Sequence, residues 1–281
     1  MAKLILQGSN LTQQAVQEIS TKLKGKASHF ETYSRIDVAT ATAHDQLNEF
    51  RQNYAFDINL IPESFAGAQA KLLMTDMDST LISIECIDEI GDFLGIKKQI
   101  SEITESTMRG EIGFETSLTQ RVALLAGLET SVLERVYQER LKLNPGAKLL
   151  AKVLKQHNIK IALVSGGFTY FTDRLKTRLE LDYTLANTLE QKDNKLTGKV
   201  VGSIVGAQAK ADLLLQLTKN LNIAPAQTIA LGDGANDLNM MKEAGLSIAY
   251  HAKPTVQQQA LTTLNYTGLE GVLGLLEIDV H

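Results

Sequence analysis

Four stretches of this chain are apolar from end to end, and three of them stop at glycine or polar residues: KLLMTD at 71–76, IKIALVSGG at 159–167 and TIALGDG at 228–234, with LSIAY at 246–250 as the fourth. A strand with one wet face alternates apolar and polar side chains, so an unbroken run marks a strand covered on both faces. Helical stretches separate the runs, which predicts an α/β chain with a Rossmann-like parallel-sheet core. Ligands in such sheets bind beyond the carboxyl ends of the strands. Three of those ends carry residues suited to a site: Asp76 and Asp78; Ser165 with Gly166 and Gly167; Asp233 with Asn236 and Asp237.

Two regions depart from this pattern. Residues 1–66 read as short units, with strands at KLILQG, around HFETYSRIDVAT and at FDINLIP, and helices at TQQAVQEISTKL and AHDQLNEFRQNYA. They form a small α+β domain, and the small and polar residues of ESFAGAQA make the linker that follows. About seventy residues then separate the first run from the second, more than one crossover helix needs. CIDEIGDFLG, KKQISEITESTMRG, FETSLTQRVALLAGL and TSVLERVYQERL all show helical spacing. A helical cap over 87–145 is therefore expected, leaving 67–86 and 146–281 as the core. YTLANTLEQKDNKLTGKVVG, at 183–202, reads as a second insertion, a hairpin or irregular ribbon around KDNK.

Composition narrows the functional classes. With 281 residues and 44% hydrophobic side chains, the chain can bury a substantial core without staples. A net charge of −4 and scattered lysines and arginines give no basic stripe, so nucleic acid is not an expected partner. The single cysteine, Cys86, excludes an internal disulfide, and the five histidines show no zinc-like spacing. No run reaches the roughly 18 apolar residues of a membrane span, and the N-terminal MAKLILQGSN has no leader pattern, so a cytoplasmic protein is expected.

The chemistry is carried by carboxylates. Residues two apart in a strand face the same side, so Asp76 and Asp78 project together if the extended backbone persists to Asp78. One carboxylate can attack phosphorus while a second, protonated, supplies a proton to the departing alkoxide. Crowding with Asp233 and Asp237 raises some of these pKa values, and an all-oxygen set without histidine or cysteine favours Mg2+. Backbone N–H groups and the hydroxyl in Ser165-Gly166-Gly167 suit a phosphate. Lys210 falls in the first turns of a helix over GAQAKADLLLQLTKNL, where its charge opposes the helix dipole unless an anion lies nearby. Each feature alone is also explained as a turn, a cap or a solvated charge; their convergence on neighbouring strand ends is what points to a site. GDGAND at 232–237 is not a dinucleotide fingerprint, because Asp237 stands where the third glycine belongs.

DMDST at 76–80, VSGG at 164–167, Lys210 and GDGAND resemble, in order and spacing, the successive motifs of the haloacid dehalogenase superfamily of phosphotransferases. More narrowly, DMDSTLISIECIDEIG, MRGEIGFETSLTQRV, LNPGA, VSGGF, NKLTG and GDGANDLNMMKEAGLSIAYHAKP look like the phosphoserine phosphatase family across 71–281, and residues 1–66 resemble a reduced ACT-like domain. The resemblance implies Mg2+ and hydrolysis of O-phosphoserine to serine and phosphate, the final step of serine biosynthesis. It implies Asp76 as nucleophile and Asp78 as general acid and later base. Magnesium is then held by Asp76, the Asp78 backbone carbonyl and Asp233. Ser165, Gly166 and Lys210 hold the phosphoryl oxygens, Asn236 touches the phosphate or orders the site, and Asp237 orients Lys210 or a metal water. The resemblance also implies that Glu85 meets the substrate amino group and Arg121 its carboxylate, with Met108 and Phe114 closing over it. Cys86 reads as inert packing, and a homodimer is left open.

Overall fold

The structure, a computed structural model, describes residues 2–65, 67–108 and 111–280, with side chains throughout these except at 40–42, 44, 45 and 108. The first unit runs β1 (Ala2–Gln7), α1 (Gln13–Leu23), β2 (Lys26–His29), β3 (Ser34–Val38), α2 (Thr40–Asn53) and β4 (Asp57–Ile61). Its antiparallel sheet has the order β2-β3-β1-β4, the βαββαβ arrangement. Helix α1 begins where Thr12 accepts a hydrogen bond from the Ala15 N–H at 3.1 Å, and it buries Ala15, Val16, Ile19 and Leu23 on one face. The stretch expected as one strand around 29–40 is divided: β2 ends at His29, and a turn closed by Phe30 N–H to Tyr33 O at 3.0 Å leads into β3. Phe30 stacks on Tyr33 with ring centroids 4.5 Å apart, which makes this turn rather than a continuous strand the better use of the two aromatics.

The second sheet has seven strands: β5 (Leu72–Thr75), β6 (Lys160–Phe168), β7 (Tyr183–Lys192), β8 (Lys195–Val201), β9 (Thr228–Gly232), β10 (Leu246–Tyr250) and β11 (Thr262–Leu264). Their order is β11-β10-β9-β5-β6-β7-β8, parallel except where β8 runs back along β7. The apolar runs are buried on both sides. Leu73, Ile161, Leu163, Ile229 and Leu231 enter one core cluster, and Leu72, Met74, Ala162, Val164 and Ala230 enter the other. Each fully buried Leu, Ile or Val contributes about 1.5–3 kcal/mol relative to exposure.

The ribbon at 183–202 is not an insertion. β7 pairs in parallel with β6 and so continues the sheet, and only β8 is the returning arm. Asp193 and Asn194, at φ 51° and 60°, form the tight turn between them. Helices α8 (Thr169–Leu179) and α10 (Leu238–Glu243) follow β6 and β9, and β11 with the short helices α11 (Pro254–Gln257) and α12 (Gly271–Leu275) extends the body beyond the fourth run.

Between β5 and α7 (Ala147–Gln156) stand α3 (Cys86–Phe93), α4 (Lys97–Met108), α5 (Phe114–Ala123) and α6 (Ser131–Arg135), the inserted helical cap. Its stem is closed by a bridge between Ile82 and Leu143, with Ser83 N–H on Lys142 O at 2.9 Å. At its far side the loop after α5 pairs with β8: Gly127 N–H donates to Leu196 O and Leu196 N–H to Leu128 O, both at 2.8 Å. This pairing, with Gly127 at φ 83°, ends α5 earlier than its apolar spacing suggests.

The two sheets meet at β4 and β11. The Asn59 carboxamide donates to Thr263 O and accepts from Thr263 N–H, each at 2.8 Å, in place of a neighbouring strand. Asp57 accepts from the N–H groups of Asn265 at 2.7 Å and Thr267 at 3.0 Å and from the Thr267 hydroxyl at 2.7 Å. The N-terminal unit thus covers the edge strand β11.

Candidate active site

Asp76 directly follows β5, and its N–H extends the pairing with β9 by donating to Leu231 O at 2.9 Å. The chain stays extended at Asp78 (φ −65°, ψ 135°) and turns at Ser79, which takes the left-handed φ of 56°. The two carboxylates nevertheless serve different neighbours. Asp76 Oδ1 accepts from Lys210 Nζ at 2.7 Å. Asp78 Oδ1 accepts from the Cys86 N–H at 2.9 Å, at the start of α3, and Asp78 Oδ2 from the Ser165 hydroxyl at 3.4 Å. Burial, then the charge of Asp76, pushes Asp78 up to about 6, opposed by the Cys86 donors and Lys210.

Lys210 stands in the first turn of α9 (Ala207–Asn220) and is fully buried. The anions that its position against the helix dipole calls for are Asp76 and, at 2.8 Å, Asp237 Oδ1. Burial lowers its pKa, but the charges and hydrogen bonds of Asp237 and Asp76 outweigh that and hold the ammonium charged. Asp237 is also fully buried, and its Oδ2 accepts from the Gly234 N–H at 3.1 Å. Burial, then Asp76, raises its pKa. Asp233, just past β9, accepts from the Thr80 hydroxyl at 2.8 Å, and burial followed by the charge of Asp76 lifts it to about 6.

Carboxylate oxygens of Asp76, Asp233 and Asp237 all lie within 4.8 Å of one another. Among the described residues no hydrogen bond engages the second oxygen of Asp76 or Asp233. Closely set, hard oxygen donors with spare lone pairs fit a small divalent cation. The Asp78 carboxylate is not in this group, since it is turned toward Cys86 and Ser165.

Ser165, Gly166 and Gly167 bulge from β6 beside Asp78. The buried Ser165 hydroxyl accepts from the Gly167 N–H at 2.8 Å. Neither glycine has room for a side chain: a Cβ on Gly166 would lie 2.8 Å from the Phe114 ring, and one on Gly167 would lie 2.7 Å from Asp78 Oδ2. Phe114, the first residue of α5, therefore presses on this loop from above. Asn236 is half-buried at the rim, beside Gly234.

Glu85, at the approach to α3, and Arg121, on α5, face the same space. Glu85 accepts from the Ser79 hydroxyl at 2.7 Å. Its surroundings raise its pKa, first by desolvation and then through Asp78, while its side chain stays open to the cleft. Arg121 lies under the fields of Asp88, Glu85 and Asp78, which partly offset the lowering caused by its burial. Arg121 Nε also donates to Ser117 O at 3.4 Å. Met108 ends α4, and its side chain lies outside the described residues.

Three contributors escape the sequence reading. Thr80 and Ser79 belong to the DMDST stretch but have no signal of their own beyond proximity. The Cys86 thiol is inert packing as expected, pushed well up by burial and by Asp78 and so protonated; the unforeseen part is its main-chain N–H, which anchors Asp78.

Residues 70–245 match the haloacid dehalogenase-like hydrolase family. The phosphoserine phosphatase of Polaromonas sp. (strain JS666) is 49% identical over 225 residues, which are 78% of this chain and 95% of that protein. The crystal structure of a HAD-family hydrolase from Salmonella enterica subsp. enterica serovar Typhi superposes over 100% of both chains with a TM-score of 0.91 and 33% identity. That of a probable phosphoserine phosphatase from Vibrio cholerae covers 99% of this chain and 86% of its own, with a TM-score of 0.83 and 38% identity.

Proposed function

The chain belongs to the haloacid dehalogenase-like hydrolase family, and from that membership we propose that it cleaves O-phosphoserine to serine and inorganic phosphate through an aspartyl phosphate on Asp76. The observation that carries the reading is the buried Lys210 ammonium 2.7 Å from Asp76 Oδ1, with Asp78 held separately on the Ser165 side. Asp76 attacks phosphorus, the bond to the serine oxygen breaks, and Asp78 delivers the proton to that oxygen. Asp78, now ionised, takes a proton from water, which attacks the same phosphorus and frees Asp76. A carboxyl raised to about 6 suits both directions of transfer near neutral pH.

An ammonium has three N–H donors, and Lys210 commits two of them to Asp76 and Asp237, leaving the third for a phosphoryl oxygen. The Ser165 hydroxyl and the Gly166 N–H supply further donors, and Asn236 borders the phosphate. Asp76, Asp233 and the Asp78 main-chain carbonyl would hold Mg2+, whose contribution when bound is counter-charge for the phosphoryl oxygens. Asp237 keeps Lys210 in place. Glu85 receives the substrate ammonium and Arg121 its carboxylate, a planar fork matched to two oxygens. Phe114 and Met108 close over the small ester.

We divide the chain at 1–66, an ACT-like unit supported by its βαββαβ order; at 67–86 and 146–281, the core; and at 87–145, the cap, whose stem closes at Ile82 and Leu143. The buried free Cys86 supports a reducing, cytoplasmic setting, and among the described residues no helix is long and apolar enough to cross a membrane. The test is phosphate release with Mg2+ from O-phosphoserine, phosphoethanolamine and glycerol phosphate. The first should be strongly preferred. Equal rates on all three would overturn the substrate assignment, and no release from any would overturn the phosphatase reading.

A further inference from the structure

The parallel ladder between β6 and β7 is interrupted at the phosphate-loop residues. Val164 stands opposite Leu185, but the next pair is Phe168 with Asn187. Ser165, Gly166 and Gly167 therefore face the single residue Ala186, and the loop leaves the sheet with backbone groups that no strand can satisfy. Buried peptide groups without partners are costly.

The Asn187 side chain takes the place of the missing ladder. It is 1% exposed, and its Nδ2 donates to Gly166 O at 2.8 Å. Its other contacts reach a different segment: Oδ1 accepts from the Val205 N–H at 2.8 Å, and Nδ2 lies 3.4 Å from Val205 O. Gly166 O belongs to the same peptide unit as the Gly167 N–H, which donates to Ser165 Oγ. Val205 precedes Gly206, the N-cap of α9, and the Lys210 N–H closes the first turn of that helix on Gly206 O at 3.2 Å. One carboxamide thus ties the loop bearing Ser165 and Gly166 to the entry of the helix bearing Lys210.

From this geometry we infer that Asn187 is a positioning residue for the phosphoryl subsite, setting the distance and orientation of the Ser165–Gly167 loop relative to Lys210. The inference rests on the reading of Ser165, Gly166 and Lys210 as phosphoryl-binding groups. Asn187 itself touches neither substrate nor reacting atoms. The subsite for the amino and carboxylate groups, built on α5 and the approach to α3, receives no bond from it.

Asn187→Asp and Asn187→Leu both keep the approximate shape and remove the donor to Gly166 O; the first retains an acceptor for Val205 N–H. With p-nitrophenyl phosphate as substrate and Mg2+ present, inorganic phosphate and L-serine are titrated as inhibitors of the parent, both variants and Ser165→Ala. In both Asn187 variants the phosphate inhibition constant should rise by about tenfold or more and kcat fall by a similar factor, while the serine constant stays within about twofold. A general loss of structure would move the two constants together, and that outcome overturns the inference. If Ser165→Ala raises the phosphate constant while the Asn187 variants do not, the positioning role falls and the subsite reading stands; if neither raises it, both fall. A measurement on the parent protein covers poor folding of the variants. The Asn187 side-chain amide resonances should shift on phosphate addition while those of Asn59 stay fixed, and unmoved Asn187 resonances overturn the inference.

Discussion

Gly167→Ala is the smallest change that tests whether Asp78 must sit where it does. Neither backbone φ at Gly166 nor that at Gly167 lies in the left-handed region, so the effect is one of space alone. The new methyl carbon would lie 2.7 Å from Asp78 Oδ2, 2.9 Å from Met77 Cε and 3.0 Å from Ser165 Oγ, where ordinary contact begins at 3.4 Å. The Met77 methyl can swing away. The Asp78 carboxylate cannot do so freely, because its other oxygen is pinned by the Cys86 N–H at 2.9 Å. It must retreat by about 0.7 Å or give up that bond, and displacements near 1 Å at a reacting group cost about a hundredfold in rate. Overpacking of this size costs about 1–3 kcal/mol of stability, less than the roughly 5–15 kcal/mol typical of a folded protein. Steady-state phosphate release should therefore show kcat reduced by about ten- to a hundredfold with a cooperative thermal transition retained. At Gly166→Ala the clash is with Phe114, on the cap, so KM rather than kcat should change most. A Gly167→Ala enzyme with kcat within about twofold of the parent would refute the claim that Asp78 is held by this contact set.

Arg121→Ala should weaken turnover of phosphoserine far more than that of phosphoethanolamine, which lacks the carboxylate; equal losses in kcat/KM on the two esters would remove Arg121 from substrate recognition. Without metal, Asp233 is raised from 3.8 to about 6, so the stability it contributes is complete below pH 3.8 and is lost as pH rises through 6. If Mg2+ is held by the ionised carboxylates, as proposed, the rise in Tm on adding it should grow across that window and largely vanish in Asp233→Asn, as measured by scanning fluorimetry at several pH values. Asp57→Ala should destabilise the protein by about 2 kcal/mol in chemical denaturation, since it removes the buried acceptor of part-buried N–H groups at 265 and 267. A loss below about 0.5 kcal/mol would show that water replaces the carboxylate.

The core strands and the site loops were legible because burial on both faces forces an unbroken apolar run, and because Asp76, Asp233 and Ser165 follow such runs directly. Lys210 was legible as a charge that needed an anion. What stayed hidden is long-range pairing. The sequence around HFETYSRIDVAT reads as one strand because nothing local marks the stacking of Phe30 on Tyr33, and β7 reads as part of an inserted ribbon because its partner β6 lies across a helix. β11 is too short to show periodicity. Asn187 and Thr80 look like ordinary polar residues; their roles arise only when β7 passes the bulge in β6 and when β5 and β9 bring Thr80 to Asp233.

The pairing of Gly127 and Leu128 with Leu196 gives the helical insert a second mooring besides its stem. An insert held at two places moves as a unit only by breaking these bonds or by carrying the β7–β8 ribbon with it. The first arm of that ribbon, β7 (Tyr183–Lys192), carries Asn187, whose side chain holds Gly166 O of the Ser165–Gly167 loop. Any tilt of the insert that keeps these two bonds is passed to β8 and so to the edge of the sheet, and a label on the ribbon turn at Asp193 should register it.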